Sequence, residues 1–441
     1  MKKSILFLIM WFLLVPQCDL KADNLDSIPT YFVQQVNEKV KLINDLGVSD
    51  NSFIFFTDTH NRSNRMNSPK LIRYILNNTL INKAIWGGDA IYAYGKKEDI
   101  DSAWEKQKLF GDYILPVGKL YNLRGNHDFT IRTSNTNTTG YTYSQEETAK
   151  RIFEQVGNDV VRNVEDPDGC YYYFDDLTNK VRYIILDSTD SVKGENVSWG
   201  VVNGVGEKQL GWIIDEAIST IESGYGVIFI SHIPITDTTG AQFRAFSNVL
   251  QVVDALALKT KGSVGNLNYD FTSLTDVKVL MYVSGHYHHD MQTYRNGVLH
   301  VITASDAAYE DYKRDPFVKD FSGMKKGTAN EQCFDCFCID RENEQIVSYR
   351  IGIGGDRIFH TEARVLGVGD VIRLKNNMIA VVEWKSYNSS GNVYSNNKWN
   401  LNNDIVSVDD NGNVVALKKG EAVVLALDKE GNKELFNLII R

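Results

Sequence analysis

Five short apolar runs in this chain each break off into a turn carrying histidine, aspartate or asparagine, and that recurrence limits the fold more than any other feature. Ile54-Phe55-Phe56-Thr57 leads into Asp58-Thr59-His60, Ala84-Ile85-Trp86 into Gly87-Gly88-Asp89, and Leu120 to Leu123 into Gly125-Asn126-His127-Asp128. Val227-Ile228-Phe229-Ile230 leads into Ser231-His232, and Val279 to Val283 into Gly285-His286-Tyr287-His288-His289. Short apolar runs bounded by turns read as buried strands, and helical patterns at Lys70 to Leu80, Glu146 to Phe153 and Lys208 to Ser219 fall between them. Phe32, Val36, Val40 and Ile43 make one face of a further helix ahead of the first strand, and Tyr171 to Phe174, Val181 to Leu186, Val298 to Thr303 and Cys333 to Tyr349 add strands. The body is therefore α/β. In such folds ligands gather at the carboxyl ends of strands, where every one of these polar clusters falls.

The formal net charge of -9 excludes a broad basic surface tracking nucleic acid or anionic lipid, so phosphate chemistry would need locally placed positive charge such as metal ions. Met1-Lys2-Lys3-Ser4 followed by the apolar run Ile5 to Val15 reads as a secretory signal peptide over 1–22, too short to span a bilayer. Its removal takes away Lys2, Lys3, Lys21 and Asp19, which moves the charge from -9 to -11. The chain is expected to be exported: periplasmic, cell-surface or secreted. Cys18 offers lipidation as an alternative, against which Gln17 stands where a lipobox wants a small residue.

Beyond Glu362 helical periodicity stops. Short strand patterns separated by Gly, Asn and Asp, with hairpin signals at Asn411-Gly412-Asn413 and Glu430-Gly431-Asn432, predict an independent all-β sandwich over 362–441. The larger domain then runs over 25–361. Cys333, Cys336 and Cys338 lie in one apolar stretch and lack a second CxxC to complete a zinc site, so they read as small hydrophobes in a buried strand; a disulfide to Cys170 stays open.

Six of the eight histidines sit in the strand-end turns, together with Asp58, Asp89 and Asn126. A divalent ion wants nitrogen and oxygen ligands in a fixed shell, and rigid strand termini supply them from residues far apart in sequence. Asp58 with His60, and His286 with His288, are pairs two residues apart that face one way. With Asp89, Asn126 and His232 they make seven ligands, too many for one tetrahedral ion and suited to two sharing a carboxylate. His300 and His360 fall outside the turns, and His289 should face away from the metal. Two ions can acidify a bridging water for in-line attack on phosphorus, so no side-chain nucleophile is needed.

Asp58-x-His60, Gly88-Asp89, Gly125-Asn126-His127-Asp128, His232 before Ile233-Pro234, and Gly285-His286-x-His288, in that order over roughly residues 50 to 310, resemble the calcineurin-like metallophosphoesterase family. The resemblance implies two mixed β-sheets sandwiched between helices. It also implies Asp58, His60 and His288 on one metal, Asn126, His232 and His286 on the other, and Asp89 bridging them. The ions would be Mn, Fe, Zn or Ni. The reaction implied is hydrolysis of a phosphate mono- or diester by a metal-bridging hydroxide, with His127 as general acid and Asp128 or a nearby carboxylate orienting it. Asn61 and Arg62 are candidate substrate contacts, and Arg124 a weaker one.

Gly88-Asp89-Ala90-Ile91-Tyr92 is also similar to the purple acid phosphatases, in which that tyrosine ligates iron. Those enzymes have Gly where this chain has His60, so Tyr92 is expected to be a pocket wall and not a ligand. The segment Trp399 to Ala416 followed by Gly420-Glu421-Ala422 resembles bacterial Ig-like domains of group two, which implies a spacer or envelope-attachment role dispensable for chemistry. The competing reading is a non-catalytic surface adhesin or ligand-binding protein that works through this tail.

Overall fold

The computed structural model describes residues 28–92, 96–128, 143–190, 204–235, 246–307, 323–377, 380–381, 383–389, 394–395, 398–399 and 401–441. The expected signal peptide and Cys18 lie outside the described residues. Among those residues no helix is long and apolar enough to cross a membrane.

Two mixed sheets pack face to face. The first runs Gly420–Leu427, Lys433–Ile440, Arg357–His360, Gln345–Gly352, Cys333–Asp340, Ser52–Phe56, Lys83–Trp86, Lys119–Asn122, with Glu383–Asn388 at the far edge beside Gly420–Leu427 and Arg364–Leu366 beside Lys433–Ile440. The second runs Met291–Arg295, Val298–Ile302, Lys278–Ser284, Gly226–Ile230, Val181–Ile185, Tyr172–Asp176, Val161–Arg162. Strand alternation builds the layers. In Ser52–Phe56, Phe53 and Phe55 point into the core between the sheets with Ile85, Tyr183, Ile230 and Val283. Ile54 and Phe56 point the other way, against the helices Thr30–Leu46, Asn67–Asn78 and Lys97–Ile114. The second sheet's outer face is covered by the helical stretches Glu207–Ile218 and Phe246–Leu258. Helices therefore flank a two-sheet sandwich, as the family resemblance implies.

The tail departs from expectation. It does form an all-β pair of layers, in which Val371–Arg373, Asn413–Ala416 and Val406–Val408 pack over the last strands around Trp384, Val414, Val424 and Phe436. Yet it is not independent of the body. Arg357, Ile358 and Phe359 pair in parallel with Lys433, Glu434 and Leu435, so one sheet continues from the first domain into the tail. Tyr387, Val423, Leu425 and Leu435 belong to the same core as Phe53 and Val283. Tyr387 also donates to the Gln292 carbonyl at 2.7 Å, and His360 meets Glu434 at 2.7 Å. Hairpin signals reveal strands and say nothing about which edge they join. Truncation after Glu362 is thus expected to give a destabilised, aggregation-prone chain, because it bares the Arg357–His360 edge and the inner face over Phe359. A soluble truncation with an unchanged melting temperature would reverse this.

Cys170, Cys333, Cys336 and Cys338 are free and buried, so no disulfide joins Cys170 to the cysteine-rich strand. His300 is another buried strand residue, its ring over Tyr282 at 5.5 Å and its Nε2 without a hydrogen-bond partner among the described residues. Burial, helped by Arg295, pushes its pKa down to about 3. The unfolded chain therefore takes up the proton first, and stability contributed by neutral His300 is complete above about pH 6.5 and falls below it. Between pH 7.5 and pH 5 the parent should lose about 2 kcal/mol more than His300→Phe in urea unfolding. Parallel pH profiles would show that His300 is not buried in the neutral form.

Candidate metal centre

All five turns meet on one rim of the sandwich, each at the carboxyl end of a parallel strand: two in the second sheet and three in the first. The backbone there is unusual. Asp58, His60, Asp89, His286 and His288 all have positive φ, between 46° and 72°, and make up five of the nine such non-glycine residues among the described residues. That conformation costs about 1 to 3 kcal/mol each and persists where the surroundings enforce it, as at ligand clamps. Gly125 and Gly285 permit the close approach. A Cβ on Gly125 would overlap the Asp89 backbone nitrogen and carboxylate, and one on Gly285 would overlap Thr57 and the Asp58 carboxylate.

Two clusters form. Asp58, His60 and His288 make one, and Asp89, His232 and His286 the other, each with its potential ligand atoms within 4.8 Å of one another. In the first, His288 Nε2 lies 3.1 Å from Asp58 Oδ1 and 3.3 Å from His60 Nε2. In the second, His232 Nε2 lies 3.0 Å from both Asp89 Oδ2 and Asn126 Oδ1. His232 Nδ1 sits 2.8 Å from the Gly87 carbonyl, which fixes the proton on Nδ1 and leaves Nε2 facing the carboxylate and amide oxygens. Asn126, outside the carboxylate, imidazole and thiol set, thus joins the second cluster through its carbonyl oxygen.

Electrostatics mark the same spot. Burial lowers His60 to about 4 and His286 to about 3, so their imidazoles are neutral and offer lone pairs. Burial opposes charge on His232 too, but Asp89 and Asp58 outweigh it and raise that group to about 9. Burial works against ionised Asp58 and Asp89 as well, and the facing histidines hold both carboxyls below the usual range. Lone-pair donors converging in a buried space repel each other unless a cation lies among them. Once an ion displaces the extra proton from His232, this donor set of imidazole, carboxylate and amide oxygen fits two divalent ions.

The remaining expected residues divide. His127 lies at the edge of the clusters, its backbone nitrogen donating to Asp89 Oδ1 at 2.7 Å and its Nε2 3.9 Å from Asp89 Oδ2; burial lowers its pKa. Asp128 does not orient His127 through its side chain. It is buried and accepts from the backbone nitrogens of Gly125 (2.7 Å), Asp89 (3.0 Å) and Ile91 (3.1 Å), tying two metal turns together. Arg124 is not available to substrate either, for it is buried in an ion pair with Asp187 at 2.5 Å, linking the first sheet's third turn to the second sheet. Asn61 is exposed and donates to the Tyr92 carbonyl at 3.4 Å, and Arg62 is half-buried. Tyr92 meets the ring of His60 edge to face, with centroids 5.4 Å apart and planes at 66°, and His289 turns its Nδ1 to the Tyr287 carbonyl.

Sequence reasoning passed over the supports. Gln107 donates to the carbonyls of His60, at 3.2 Å, and Ala90, and so braces two turns from the helix Lys97–Ile114. Asp290, two residues past His288, is held by Arg350 and Arg357. The available signal was Asp335, a charge inside the apolar cysteine strand that needs an internal partner.

No curated protein matches the chain. Among solved structures it is similar to a dimetal phosphatase from Danio rerio, at 15% identity over 70% of this chain and 98% of that one, with a TM-score of 0.40. It is also similar to GAP50, the anchor in the inner membrane complex of Plasmodium, at 13% identity over 67% and 82%, with a TM-score of 0.39. A third is the phosphopantetheinyl hydrolase of Mycobacterium tuberculosis, at 10% identity over 58% and 89%, with a TM-score of 0.31. The family described as calcineurin-like phosphoesterase matches residues 52–290, a span that opens on the strand before Asp58 and closes two residues after His288. Because that match takes in all five turns and more than half of the sequence, the chain belongs to the calcineurin-like phosphoesterase family.

Proposed function

We propose that this chain is an exported, dinuclear metal-dependent phosphoesterase that hydrolyses phosphate mono- or diesters with His127 as the general acid. The observation that carries this reading is the convergence of buried lone-pair donors into two adjoining clusters at one rim. Asp58, His60 and His288 would hold one ion, and Asn126, His232 and His286 the other. Asp89 would serve both: its charge acts on His60 of the first cluster as well as on His232 of its own. Mn, Fe, Zn and Ni all accept such ligands. Bound ions would supply Lewis acidity toward phosphoryl oxygens and an acidified water. Asn61 and Arg62, in the turn beyond His60, are proposed to meet the ester's phosphate. The signal-peptide pattern over 1–22 supports export, and the likeness of residues 362–441 to group two Ig-like domains supports attachment to the cell envelope, with lipidation at Cys18 the other route.

His127 is partly open, with its side chain 14% exposed, which lets it reach a leaving group. A general acid contributes roughly 10² to 10⁴ in rate, and contributes least when the leaving group is already a stable anion. His127→Ala should therefore lose on the order of 10²-fold or more on an alkyl phosphate and far less on a nitrophenyl ester, with metal content intact. Equal losses on the two esters would assign His127 to phosphate positioning instead.

A further inference from the structure

Tyr92 and His127 come from different turns and stack face to face, with ring centroids 4.5 Å apart and planes 17° from parallel. His127 and His60 meet edge to face, with centroids 5.2 Å apart and planes at 75°. The imidazole is therefore packed by one parallel ring and one near-perpendicular ring, while its backbone is fixed by Asp89. Asp128, one carboxylate expected for this task, is instead spent on three backbone nitrogens. Tyr92 is itself tethered through its carbonyl to Asn61 and is 42% exposed, so it stands at the mouth of the site.

We infer that Tyr92 is a positioning residue that aims His127 at the leaving-group oxygen by ring stacking. This rests on the general-acid reading above. A planar face restrains tilt but leaves the ring nitrogens open for hydrogen bonding, which a carboxylate partner would not. Stacked aromatic pairs contribute enough to shift a conformational equilibrium about 2- to 12-fold. The benefit should appear only where proton transfer matters.

The test uses the full-length, zinc-loaded protein with 4-nitrophenyl, phenyl and methyl phosphates and the corresponding diesters. Tyr92→Leu should lower kcat about 2- to 12-fold more on the methyl than on the nitrophenyl ester, with KM little changed, and Tyr92→Phe should restore most of that difference. In proton NMR of the same samples, the His127 ring signals, identified by their loss in His127→Gln, should lie upfield in the parent and in Tyr92→Phe. They should move downfield in Tyr92→Leu. If His127→Ala discriminates between leaving groups and Tyr92→Leu does not, or if the His127 signals ignore Tyr92→Leu, the positioning role is wrong and the general acid stands. If His127→Ala itself fails to discriminate, the general-acid reading falls and takes this inference with it.

Discussion

Asp89→Asn is expected to cost on the order of 10³-fold in kcat and to reduce bound metal from two ions toward one or fewer. The amide keeps the shape of the side chain and an oxygen to accept from the His127 backbone nitrogen, so the turn should survive. What it removes is the charge. Asp89 is 1% exposed, and its carboxylate lies 3.0 Å from His232 Nε2 in the second cluster while also acting on His60 in the first. Two cations in a buried site need anionic ligands, and only Asp58 and Asp89 supply them among the seven residues. Metal analysis by plasma emission, beside circular dichroism to verify the fold, distinguishes the outcomes. Two ions and near-normal turnover in a folded Asp89→Asn protein would refute a dinuclear centre built on this carboxylate.

The ligands were legible because chemistry forces rare residue types into the open. A histidine or aspartate ending an apolar strand has few structural reasons to be there, and five such turns on parallel strands must share one rim. The helix Thr30–Leu46 was legible for a different reason: Phe32, Val36 and Ile43 keep a clean 3.6 period. The helix Phe246–Leu258 was not read, since Val249, Val252 and Val253 carry strand propensity and its sequence is apolar nearly all round. Lys97–Ile114 hid behind its many charges. The strained backbone of Asp58, His60 and Asp89 was invisible as well: Asp and His tolerate positive φ better than most residues, but which of them adopts it is set by the assembled turns. Sheet joining was the largest blind spot. Which edge Lys433–Ile440 would pair with depends on the Arg357–His360 strand being left uncovered by the body, a long-range fact that local patterning does not encode.

Arg350→Met should destabilise the protein by about 3 to 5 kcal/mol, the largest stability effect expected from one substitution here. Arg350 is 1% exposed and holds two carboxylates at once: Asp290 through Nη1 at 2.9 Å and Nη2 at 2.7 Å, and Asp335 through Nε at 2.8 Å and Nη2 at 3.1 Å. Arg357 closes the group, 3.2 Å from Asp290 and 2.5 Å from Asp335. Two cations balance two anions, all with side chains no more than 6% exposed. Burial opposes ionised Asp290, yet the two arginines hold its carboxyl well below the usual carboxylate range, so this stability is present above about pH 4 and lost as pH falls below it. Deleting one cation leaves two buried carboxylates on Arg357 alone, and methionine fills the space without replacing a single donor. Because Asp290 ends the loop that carries His286 and His288, the substitution should also weaken metal binding, seen as a smaller rise in melting temperature when zinc is added. Replacing Arg350, Arg357, Asp290 and Asp335 together by apolar residues of similar volume should recover much of the loss, since buried ion groups are dispensable as sets far more readily than as halves. Urea unfolding at pH 7 of the single and fourfold variants measures both effects. If Arg350→Met lies within about 1 kcal/mol of the parent, the quartet does not hold the metal loop and Asp290 must be satisfied some other way.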